Sequence, residues 1–442
     1  MSSQAATEKR LLKTIIHDMS QNSDLFSKCP GKDFSRKRKL DFSSVISVLL
    51  SMSGGSTASN LMDYFKFDAS TASTSAFVQQ RNKLKWEAME YLFHRFTAET
   101  TAKKNFCGYR LLAVDGSDLQ IFADPSDEDS YYPSTNGQHP YSLLHLNALF
   151  DLENGIYTDA LIQKSRKSNE HLALIDMIDR LDIQNAILLA DRGYESYNNI
   201  AHLQEKGLKY LIRIKDGSNG IASGLDLPSS DEFDLPVELL LTRRQTKDVK
   251  DLCYADRNKY KWIPSKAIFD YLPSTNRKHD PLVFYKLVFR IVRFRLSDSS
   301  FETVITNLNP CDFPSDILKR LYARRWGIET SFRQLKYTLG LVHFHAKKVE
   351  LILQEVFAKL TMYNFSELIT SSVVIQKSRT KLTYSVNFSA AVHICRNFFL
   401  GNVSPPKLEA LLSRLLVPIR PARSNARKPA QRRSFSFLYR LA

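Results

Sequence analysis

The residues best spaced to do chemistry lie between positions 322 and 336. On a helix that turns about 100° per residue, four polar side chains fall within an arc of about 60°; they are Tyr322, Arg325, Glu329 and Lys336. The carboxylate can ligate a metal ion while the cations contact phosphate oxygens. An adjacent apolar stripe predicts packing on a core and consists of Leu321, Ile328, Phe332, Leu335 and Leu339. By itself, such a polar stripe is more often the solvated face of an amphipathic helix.

Two further carboxylates follow short apolar runs. Asp115 comes after Leu-Leu-Ala-Val and Asp191 after Ile-Leu-Leu-Ala, with a glycine one or two positions beyond each. Each run predicts a buried strand that ends at its aspartate, and the two strands can be neighbours. Open α/β sheets carry their chemistry at strand ends, although an aspartate there is more often a turn former or helix cap. Together with Glu329, the two aspartates make an oxygen-ligand set suited to Mg2+ or Mn2+.

These motifs together resemble the DDE insertion-sequence transposases of family four. The resemblance is carried by the spacing Tyr-x2-Arg-x3-Glu-x6-Lys and by the preceding Asp-Gly-Ser and Asp-Arg-Gly-Tyr segments, in that order. It covers roughly residues 105–345 directly. Residues 33–40 and 77–84 also resemble the front domain of that family.

The resemblance implies a catalytic triad of Asp115, Asp191 and Glu329 that binds Mg2+, with Mn2+ as a substitute. It implies cut-and-paste DNA transposition, in which water cleaves the element end and the freed 3′-hydroxyl attacks the opposite strand or target DNA. Tyr322, Arg325 and Lys336 are then expected to position DNA phosphates. The implied partners are terminal inverted repeats, target DNA and a second copy of the chain in the DNA complex.

One position departs from that family. Relatives that form a hairpin intermediate stack a flipped base on a tryptophan just before the strand that returns to the core. Here that position is Glu302, next to Phe301, and Trp262 is the one tryptophan of the predicted insertion. Phe301 or Trp262 can supply the aromatic stacking instead, so the sequence leaves the hairpin step open.

Composition agrees with a protein that binds a polyanion. There are 62 Lys and Arg against 46 Asp and Glu, a formal charge of +16, as expected for nucleic-acid binding. The five scattered cysteines include no Cys-x-x-Cys pair, which excludes a zinc finger of standard spacing. No Gly-x4-Gly-Lys-Ser/Thr motif is present, so no nucleotide cofactor is expected. The first residues lack a signal-peptide pattern and no membrane segment is expected, so an intracellular protein is predicted. The resemblance implies a bacterial cytoplasmic protein associated with the nucleoid.

The predicted fold class is α/β, a mixed sheet with helices packed on it, and the resemblance implies that this core is ribonuclease-H-like. A β-rich insertion domain and a helical N-terminal DNA-binding domain are expected beside it. The predicted segments are residues 1–105 for the N-terminal domain, 106–215 and 303–348 for the core, 216–302 for the insertion and 349–442 for C-terminal helices and a basic tail. Within them, a Ser/Thr-rich region is expected over 57–75, a hairpin over 143–163, an amphipathic helix over 169–181 and a long amphipathic helix that packs on the core over 349–369. We expect the insertion to lie over the active site and to be removable without loss of the core. The alternative for its strands is a basic solvated sheet without a catalytic part.

The terminal segments carry the remaining candidates for DNA contact. The N-terminal hundred residues predict helices near 11–16, over 42–50 and over 76–96. A basic run precedes the second helix and is expected to grip phosphate or to be a solvated surface; it comprises Arg36, Lys37, Arg38 and Lys39. Residues 414–442 carry no acid, eight Lys or Arg and three prolines, which predicts an extended tail that neutralises phosphate non-specifically.

Two other functions remain open from the sequence. A transposase-derived DNA-binding regulator would keep the fold without catalysis, although a pure binder has no reason to keep three acids beside DNA. A structure-specific nuclease on the same fold would cleave DNA without joining strands.

Overall fold

The computed structural model describes residues 2–100, 104–135, 139–215, 220–273, 283–373 and 383–419. Residues 2–99 form six helices and their connections, and the remaining helices alternate with the strands or follow them. The α-helices are α1 Ser2–Gln21, α2 Ser23–Phe26, α3 Phe42–Ser51, α4 Thr57–Tyr64, α5 Thr74–Arg81, α6 Glu87–Glu99, α7 Glu170–Asp179, α8 Tyr197–Glu205, α9 Lys247–Ala255, α10 Ser315–Ala323, α11 Trp326–Tyr337, α12 Val349–Thr370, α13 Phe388–Leu400 and α14 Pro405–Leu412.

Ten strands of the described chain form one mixed sheet, and two more form a small hairpin. The strands are β1 Arg110–Ile121, β2 Tyr131–Tyr132, β3 Tyr141–Asp151, β4 Ile156–Lys164, β5 Ala186–Ala190, β6 Lys209–Arg213, β7 Phe233–Thr242, β8 Tyr260–Trp262, β9 Tyr285–Ser297, β10 Ser300–Thr306, β11 Thr383–Val386 and β12 Leu416–Ile419. The sheet order is β2-β3-β1-β5-β6-β10-β9-β7-β8, with β4 paired to β3, and β11 pairs with β12. The protein is therefore a mixed α/β structure with a large mixed sheet.

The two predicted apolar strands are neighbours, as expected. β1 and β5 run parallel, with Ala113 opposite Leu189, and β6 lies parallel on the other side of β5. The prediction that the first strand ends at Asp115 is wrong. β1 continues to Ile121 because β3 pairs with it in an antiparallel register from Leu112 onward. Asp115 therefore lies within β1, two residues beyond its last pair with β5.

The predicted hairpin between residues 143 and 163 is confirmed as β3 and β4. Its turn ends at Gly155, whose φ of 68° lies in the left-handed region that glycine adopts at low cost. The helix predicted over 169–181 is α7, and it begins where the Asn169 side chain accepts a hydrogen bond from the Leu172 backbone N–H.

The segment predicted as a β-rich insertion extends the core sheet. β9 pairs with β10, and β7 pairs with β9, so these strands continue the sheet beyond β6. The inward side chains Leu287, Phe289 and Ile291 lie in one apolar cluster with Ile200 and Leu203 of α8. Its strands therefore pack into the hydrophobic core, and removal of this segment would expose the apolar side chains of α8 that contact them.

The N-terminal and C-terminal helices share one core with the sheet. A single apolar cluster includes side chains of α1, α3, α6, α11, α12 and α13, together with β1, β3 and β4. α12 is buried along nearly its whole length, because it lies between the N-terminal helices and β4. Arg81 forms a buried ion pair with Glu355 of α12 at 2.9 Å. The packing predicted for residues 349–369 is confirmed.

Three helix predictions need correction. The helix predicted over 76–96 is two helices, α5 and α6, separated by a turn at residues 82–86. The region 57–75, read as a Ser/Thr-rich connection, contains α4, which begins at the capping Ser56. The helix that carries the Tyr322 to Lys336 stripe is interrupted between α10 and α11. At Arg324 and Arg325 the backbone N–H groups bond to the carbonyl three residues before, as in a 3-10 turn, instead of four residues before.

In the described part of the chain, no helix is long and apolar enough to cross a membrane. Most of the predicted basic tail, residues 420–442, lies outside the described residues. The part that the structure describes includes β12, so residues 416–419 are paired in a strand.

Candidate active site

The candidate active site lies at one end of β1 and β5, on the face of the sheet covered by α10. Side chains alternate between the two faces of a sheet, which places Asp115 on the side of Leu111 and Asp191 on the side of Leu189. Both leucines belong to an apolar cluster that contains Leu321 and Tyr322 of α10. The two strand carboxylates therefore point towards the helices that carry Arg325 and Glu329.

Asp115 is half-buried among charged side chains. Its Oδ1 accepts a hydrogen bond from the Gly116 N–H at 2.9 Å, and its Oδ2 lies 3.8 Å from Arg325 Nη1. Burial, with smaller contributions from the charges of Asp191 and Glu329, outweighs the opposing effects of Gly116 and Arg325 and raises the pKa of Asp115 to about 6. The three carboxylates thus lie within electrostatic range of one another.

Asp191 caps the short turn that follows β5. Its Oδ1 accepts a hydrogen bond from the Gly193 N–H at 2.8 Å, and a Cβ at position 193 would lie 2.9 Å from that oxygen. The glycine of the Asp-Arg-Gly-Tyr motif therefore lets the turn close over the carboxylate. Asp191 therefore forms a turn, as the sequence predicts, and it also lies within electrostatic range of Asp115.

Arg325 joins the helix segment to the strand carboxylates. Its Nη2 lies 3.1 Å from Glu329 Oε1, while its Nη1 faces Asp115. The guanidinium also lies 5.8 Å from the Tyr322 ring and 5.2 Å from the Trp326 ring. The Arg325 side chain is only 8% exposed, and its buried Nε has no hydrogen-bond partner among the described residues. Arg325 therefore neutralises two of the three acids in the free protein.

Tyr322 and Lys336 lie at the two ends of this arrangement. Burial raises the pKa of Tyr322 to about 12, so the phenol is neutral and can donate a hydrogen bond. Burial lowers the pKa of Lys336, and the charge of Asp118 opposes that effect. Lys336 therefore lies within electrostatic range of Asp118 of β1.

A second group of charged side chains, which the sequence reading missed, lies behind Asp115 on the opposite face of the sheet. His145 of β3 forms hydrogen bonds with Asp118 at 2.7 Å and with Glu170 at 2.9 Å. A Cβ at Gly116 would lie 2.4 Å from His145 Nε2, so the glycine after Asp115 makes room for this histidine. Strand alternation alone does not identify the group, because the pairing of β1 with β3 brings it together.

The protonation of His145 follows from its two carboxylate partners. Burial alone would lower the pKa of His145, but the hydrogen bonds and charges of Asp118 and Glu170 outweigh it and raise the pKa to about 9. The imidazolium therefore ties β1 and β3 to the first turn of α7 immediately behind the catalytic face.

The oxygen atoms of the three candidate ligands suit a divalent ion, but their arrangement in this structure does not yet form a metal site. Carboxylate oxygens are the donors that Mg2+ and Mn2+ prefer, and the negative charges of Asp191 and Glu329 add to the effect of burial that raises the pKa of Asp115. Across the described residues, however, no three His, Cys, Asp or Glu side chains form a group that could hold a metal ion. Asp115, Asp191 and Glu329 would therefore have to draw closer, with Arg325 displaced from between two of them.

Phe301 and Trp262, the two aromatic side chains predicted to contact DNA, lie on strands of the same sheet. Phe301 of β10 has the guanidinium groups of Arg293 and Arg295 at 5.1 and 5.3 Å from its ring. Glu302, at the position of the missing tryptophan, forms a salt bridge with Arg213 at 3.2 Å. Trp262 ends β8 and is 44% exposed.

The basic run of the N-terminal region is solvent-exposed. Arg36, Lys37, Arg38 and Lys39 all have exposed side chains, and the Lys39 ammonium lies 4.8 Å from the Phe65 ring. The run leads into α3, whose first turn is capped by Asp41.

The pKa of Asp115 predicts a stability that falls as the pH rises. Its folded value near 6 lies above the ordinary 3.8, so its contribution is present below pH 4 and is lost as the pH rises through 6. In metal-free protein at pH 8, Asp115→Asn should raise the free energy of unfolding by about 1–3 kcal/mol, with a smaller gain towards pH 4. Urea unfolding with a chelator measures this gain. Asp118→Asn is the control, because the folded pKa of Asp118 is lowered; an equal gain for Asp115→Asn at both pH values would contradict the prediction.

Comparison with known proteins places the site in context. Residues 106–365 match the family described as "Transposase DDE domain". The chain is 23% identical over 301 residues to the transposase InsG for insertion sequence element IS4 of Escherichia coli strain K12, and the match covers 66% of this chain and 59% of that protein. A piggyBac transposase synaptic complex with hairpin DNA, solved by cryo-EM, matches with a TM-score of 0.45 and 11% identity over 96% of this chain and 87% of that chain.

Proposed function

Because the chain belongs to the DDE-domain transposases of insertion sequences, in the IS4 family, we propose that it cuts and joins DNA at Asp115, Asp191 and Glu329. The observation that carries this proposal is the geometry around Arg325, whose guanidinium lies 3.8 Å from Asp115 and 3.1 Å from Glu329, with Asp191 at the end of the neighbouring parallel strand. Buried like charges at one place weaken a fold, and a metal-dependent reaction gives a reason for keeping them there. The strand order β4-β3-β1-β5-β6, with β1, β5 and β6 parallel, supports a ribonuclease-H-like core.

Each acid has a distinct position from which to act. Asp115 reaches the site from the middle of β1, Asp191 from the turn after β5 and Glu329 from the first turn of α11. Divalent ions held by these oxygens would activate water and stabilise the leaving 3′ oxygen of a phosphodiester. The chain itself supplies the three acids on separate elements, so closing α11 towards the strand ends gathers the ligands.

Arg325 is proposed to exchange its carboxylate partners for a DNA phosphate. In the free protein its guanidinium lies against Asp115 and Glu329, and a planar guanidinium binds phosphate oxygens in the same two-pronged way. Tyr322 donates a hydrogen bond to the same phosphate region, and Lys336 contributes positive charge at the end of α11. Arriving DNA would thus release the acids at the moment when they are needed for metal binding.

In this proposal, the surroundings of Phe301 and Glu302 decide which step follows the first cut. Phe301 lies between two arginines, which suits contact with a phosphate backbone and a stacked base. Glu302 is engaged with Arg213, so a base cannot stack at that position as it does on an aromatic ring. We therefore propose that the freed 3′-hydroxyl attacks target DNA rather than the opposite strand, so that no hairpin intermediate forms.

Terminal inverted repeats, target DNA and a second copy of the chain are the proposed partners. The relative encoded by element IS4 is named as its transposase, which points to the ends of the mobile element as substrate. The exposed run from Arg36 to Lys39 is the proposed N-terminal DNA contact. Because the N-terminal helices share their core with α12, recognition is best tested in the full chain.

One experiment separates the proposed function from its alternatives. Wild-type protein is incubated with Mg2+, a labelled duplex that carries the terminal repeat of the element, and supercoiled target DNA. A transposase should give 3′-end nicks followed by joined products, whereas a nuclease should give cuts without joining and a regulator should give only a shifted complex. A duplex with a scrambled end is the control. Binding without any strand cleavage in Mg2+ or Mn2+ would overturn the proposal.

A further inference from the structure

A pocket that is both aromatic and basic lies between α9 and β8. We call it the α9–β8 pocket; it has a volume of about 420 Å³ and is lined by four cationic and three aromatic side chains. None of the described residues that line it is a carboxylate. Ligand sites in proteins have volumes of about 300–1,000 Å³, so this pocket is large enough for a nucleotide.

The aromatic side chains of the pocket are unusually open to solvent. Tyr254 of α9 is 73% exposed and Trp262 of β8 is 44% exposed. Exposed aromatic side chains next to Lys and Arg are the combination that binds unpaired nucleic acid, because a base stacks on the ring while a phosphate meets the cation. Lys250 and Arg257, which also line the pocket, provide that charge beside the rings.

Trp262 also connects this pocket to the catalytic end of the sheet. It lines a second cavity of about 400 Å³ together with Glu195 and His171, and Glu195 follows Asp191 by four residues. Glu195 accepts backbone hydrogen bonds from Lys215 at 2.9 Å and from Ile221 at 2.6 Å. This carboxylate therefore fastens the start of the β7–β9 segment to the turn that carries Asp191.

We propose that the α9–β8 pocket binds unpaired nucleotides of a DNA strand, with Tyr254 and Trp262 stacking on bases and Lys250 and Arg257 contacting phosphates. The proposal rests on the proposed function, because a strand freed by cleavage is the source of the unpaired nucleotides. Because Trp262 and Glu195 line the same cavity, we expect the freed DNA strand to run from the Asp191 turn towards α9. Duplex DNA does not fit this role, because its bases are already stacked on one another.

Binding is measured by the fluorescence anisotropy of a labelled twelve-nucleotide oligothymidylate, at about 0.2 M salt to weaken non-specific contacts. An abasic oligomer with the same phosphates and a matched thymidylate–adenylate duplex serve as comparisons. The double change Tyr254→Ala and Trp262→Ala should weaken oligothymidylate binding by about 5- to 100-fold, the range expected for lost base stacking, and leave abasic binding unchanged. Tyr254→Phe with Trp262→Phe should restore binding, because the rings remain.

Two further variants separate stacking from charge and from general damage. Lys250→Gln with Arg257→Gln should weaken binding of the oligothymidylate and the abasic oligomer by the same factor, because both carry the same phosphates. Leu252→Ala is the matched control, since Leu252 is on α9 and 40% exposed but does not line the pocket. It should bind all three probes as the wild type does.

Cys253 gives a second readout at the pocket itself. Cys253 lines the pocket, whereas Cys311 is exposed elsewhere, so iodoacetamide alkylation of both can be followed by peptide mass spectrometry in one sample. Oligothymidylate should slow alkylation of Cys253 and leave Cys311 unchanged. Equal protection by the duplex, by the abasic oligomer or by polyglutamate would overturn the proposal, as would an unchanged affinity in the alanine double variant.

The outcome is distinguishable from failure of the proposed function. Nicking of a terminal-repeat duplex is measured in parallel with the same wild-type protein. Protection of Cys253 without nicking would keep the pocket and reject the transposase proposal, whereas nicking without protection would reject the pocket alone.

Discussion

Replacing Asp115, Asp191 or Glu329 singly with alanine should abolish nicking of end DNA while leaving its binding within a few fold of wild type. The loss of nicking should exceed about 100-fold, because changes to residues that only orient a metal ligand already cost 10- to 100-fold. Binding should persist because it rests on many phosphate contacts spread over a chain with a net charge of +16. Product formation on a denaturing gel and a mobility shift on the same DNA measure the two effects.

A nearby carboxylate outside the triad provides the control for that result. Glu153 forms a salt bridge with Arg324, the residue before Arg325, so Glu153→Gln changes the same neighbourhood without removing a proposed ligand. Nicking by this variant should stay within about tenfold of wild type, since only an orienting contact is lost. Wild-type nicking by any triad variant would reject the assignment of that acid.

The two strands that carry Asp115 and lead to Asp191 were predictable from sequence, because local pattern and topology agree there. Apolar runs before Asp115 and Asp191 specify buried strands, and their parallel pairing follows from the usual geometry of α/β sheets. The length of β1 was not predictable in the same way. Its continuation past Asp115 depends on antiparallel pairing with β3, which no local pattern in residues 116–121 reveals.

The helix that carries Arg325 shows a different limit of sequence reading. Spacing placed Tyr322, Arg325 and Glu329 on one face, yet the chain turns between α10 and α11 at Arg324. Arg324 and Arg325 both keep right-handed helical φ and ψ, so the apolar stripe stays buried and the periodic pattern is not interrupted. The periodic pattern therefore could not show this break, nor that Arg325 lies 3.8 Å from Asp115.

The β7–β9 segment was predicted as strand-rich from its composition, but its placement required the structure. A run of β-branched and aromatic residues predicts a strand without saying which strand it joins. Pairing of β9 with β10 makes it part of the core sheet, and Leu287 and Ile291 pack with α8. Single-residue changes such as those at Tyr254 and Trp262 therefore test this segment better than its removal.

Glu355→Ala should lower the free energy of unfolding by about 3–5 kcal/mol, the cost of leaving one charge of a buried pair without its partner. Glu355 is 1% exposed and lies 2.9 Å from Arg81, which is 2% exposed. It also accepts a hydrogen bond from the His345 backbone N–H. Burial opposes ionisation of Glu355, but Arg81 and His345 outweigh it and lower its pKa to about 2. Urea unfolding at pH 7 measures the loss.

The matched control is Glu350→Ala on the same helix. Glu350 pairs with Lys28, and both side chains are exposed, so its removal should cost only about 0–1 kcal/mol. The pH dependence should also separate the two acids. Because the folded pKa of Glu355 lies below its ordinary value, its contribution is present above about pH 4.5 and is lost as the pH falls towards 2. The difference between Glu355→Ala and wild type should therefore shrink at pH 3.

The form of the unfolding curve in Glu355→Ala tests how the N-terminal helices belong to the molecule. Arg81 ends α5, and Glu355 lies within α12, so their ion pair crosses from the N-terminal helices to the C-terminal ones. The surrounding side chains form one apolar cluster that also reaches β1, β3 and β4. We therefore expect one cooperative transition, shifted to lower urea, when fluorescence and circular dichroism are compared. Two separate transitions, with the first confined to the N-terminal helices, would show instead that residues 1–105 fold as an independent domain.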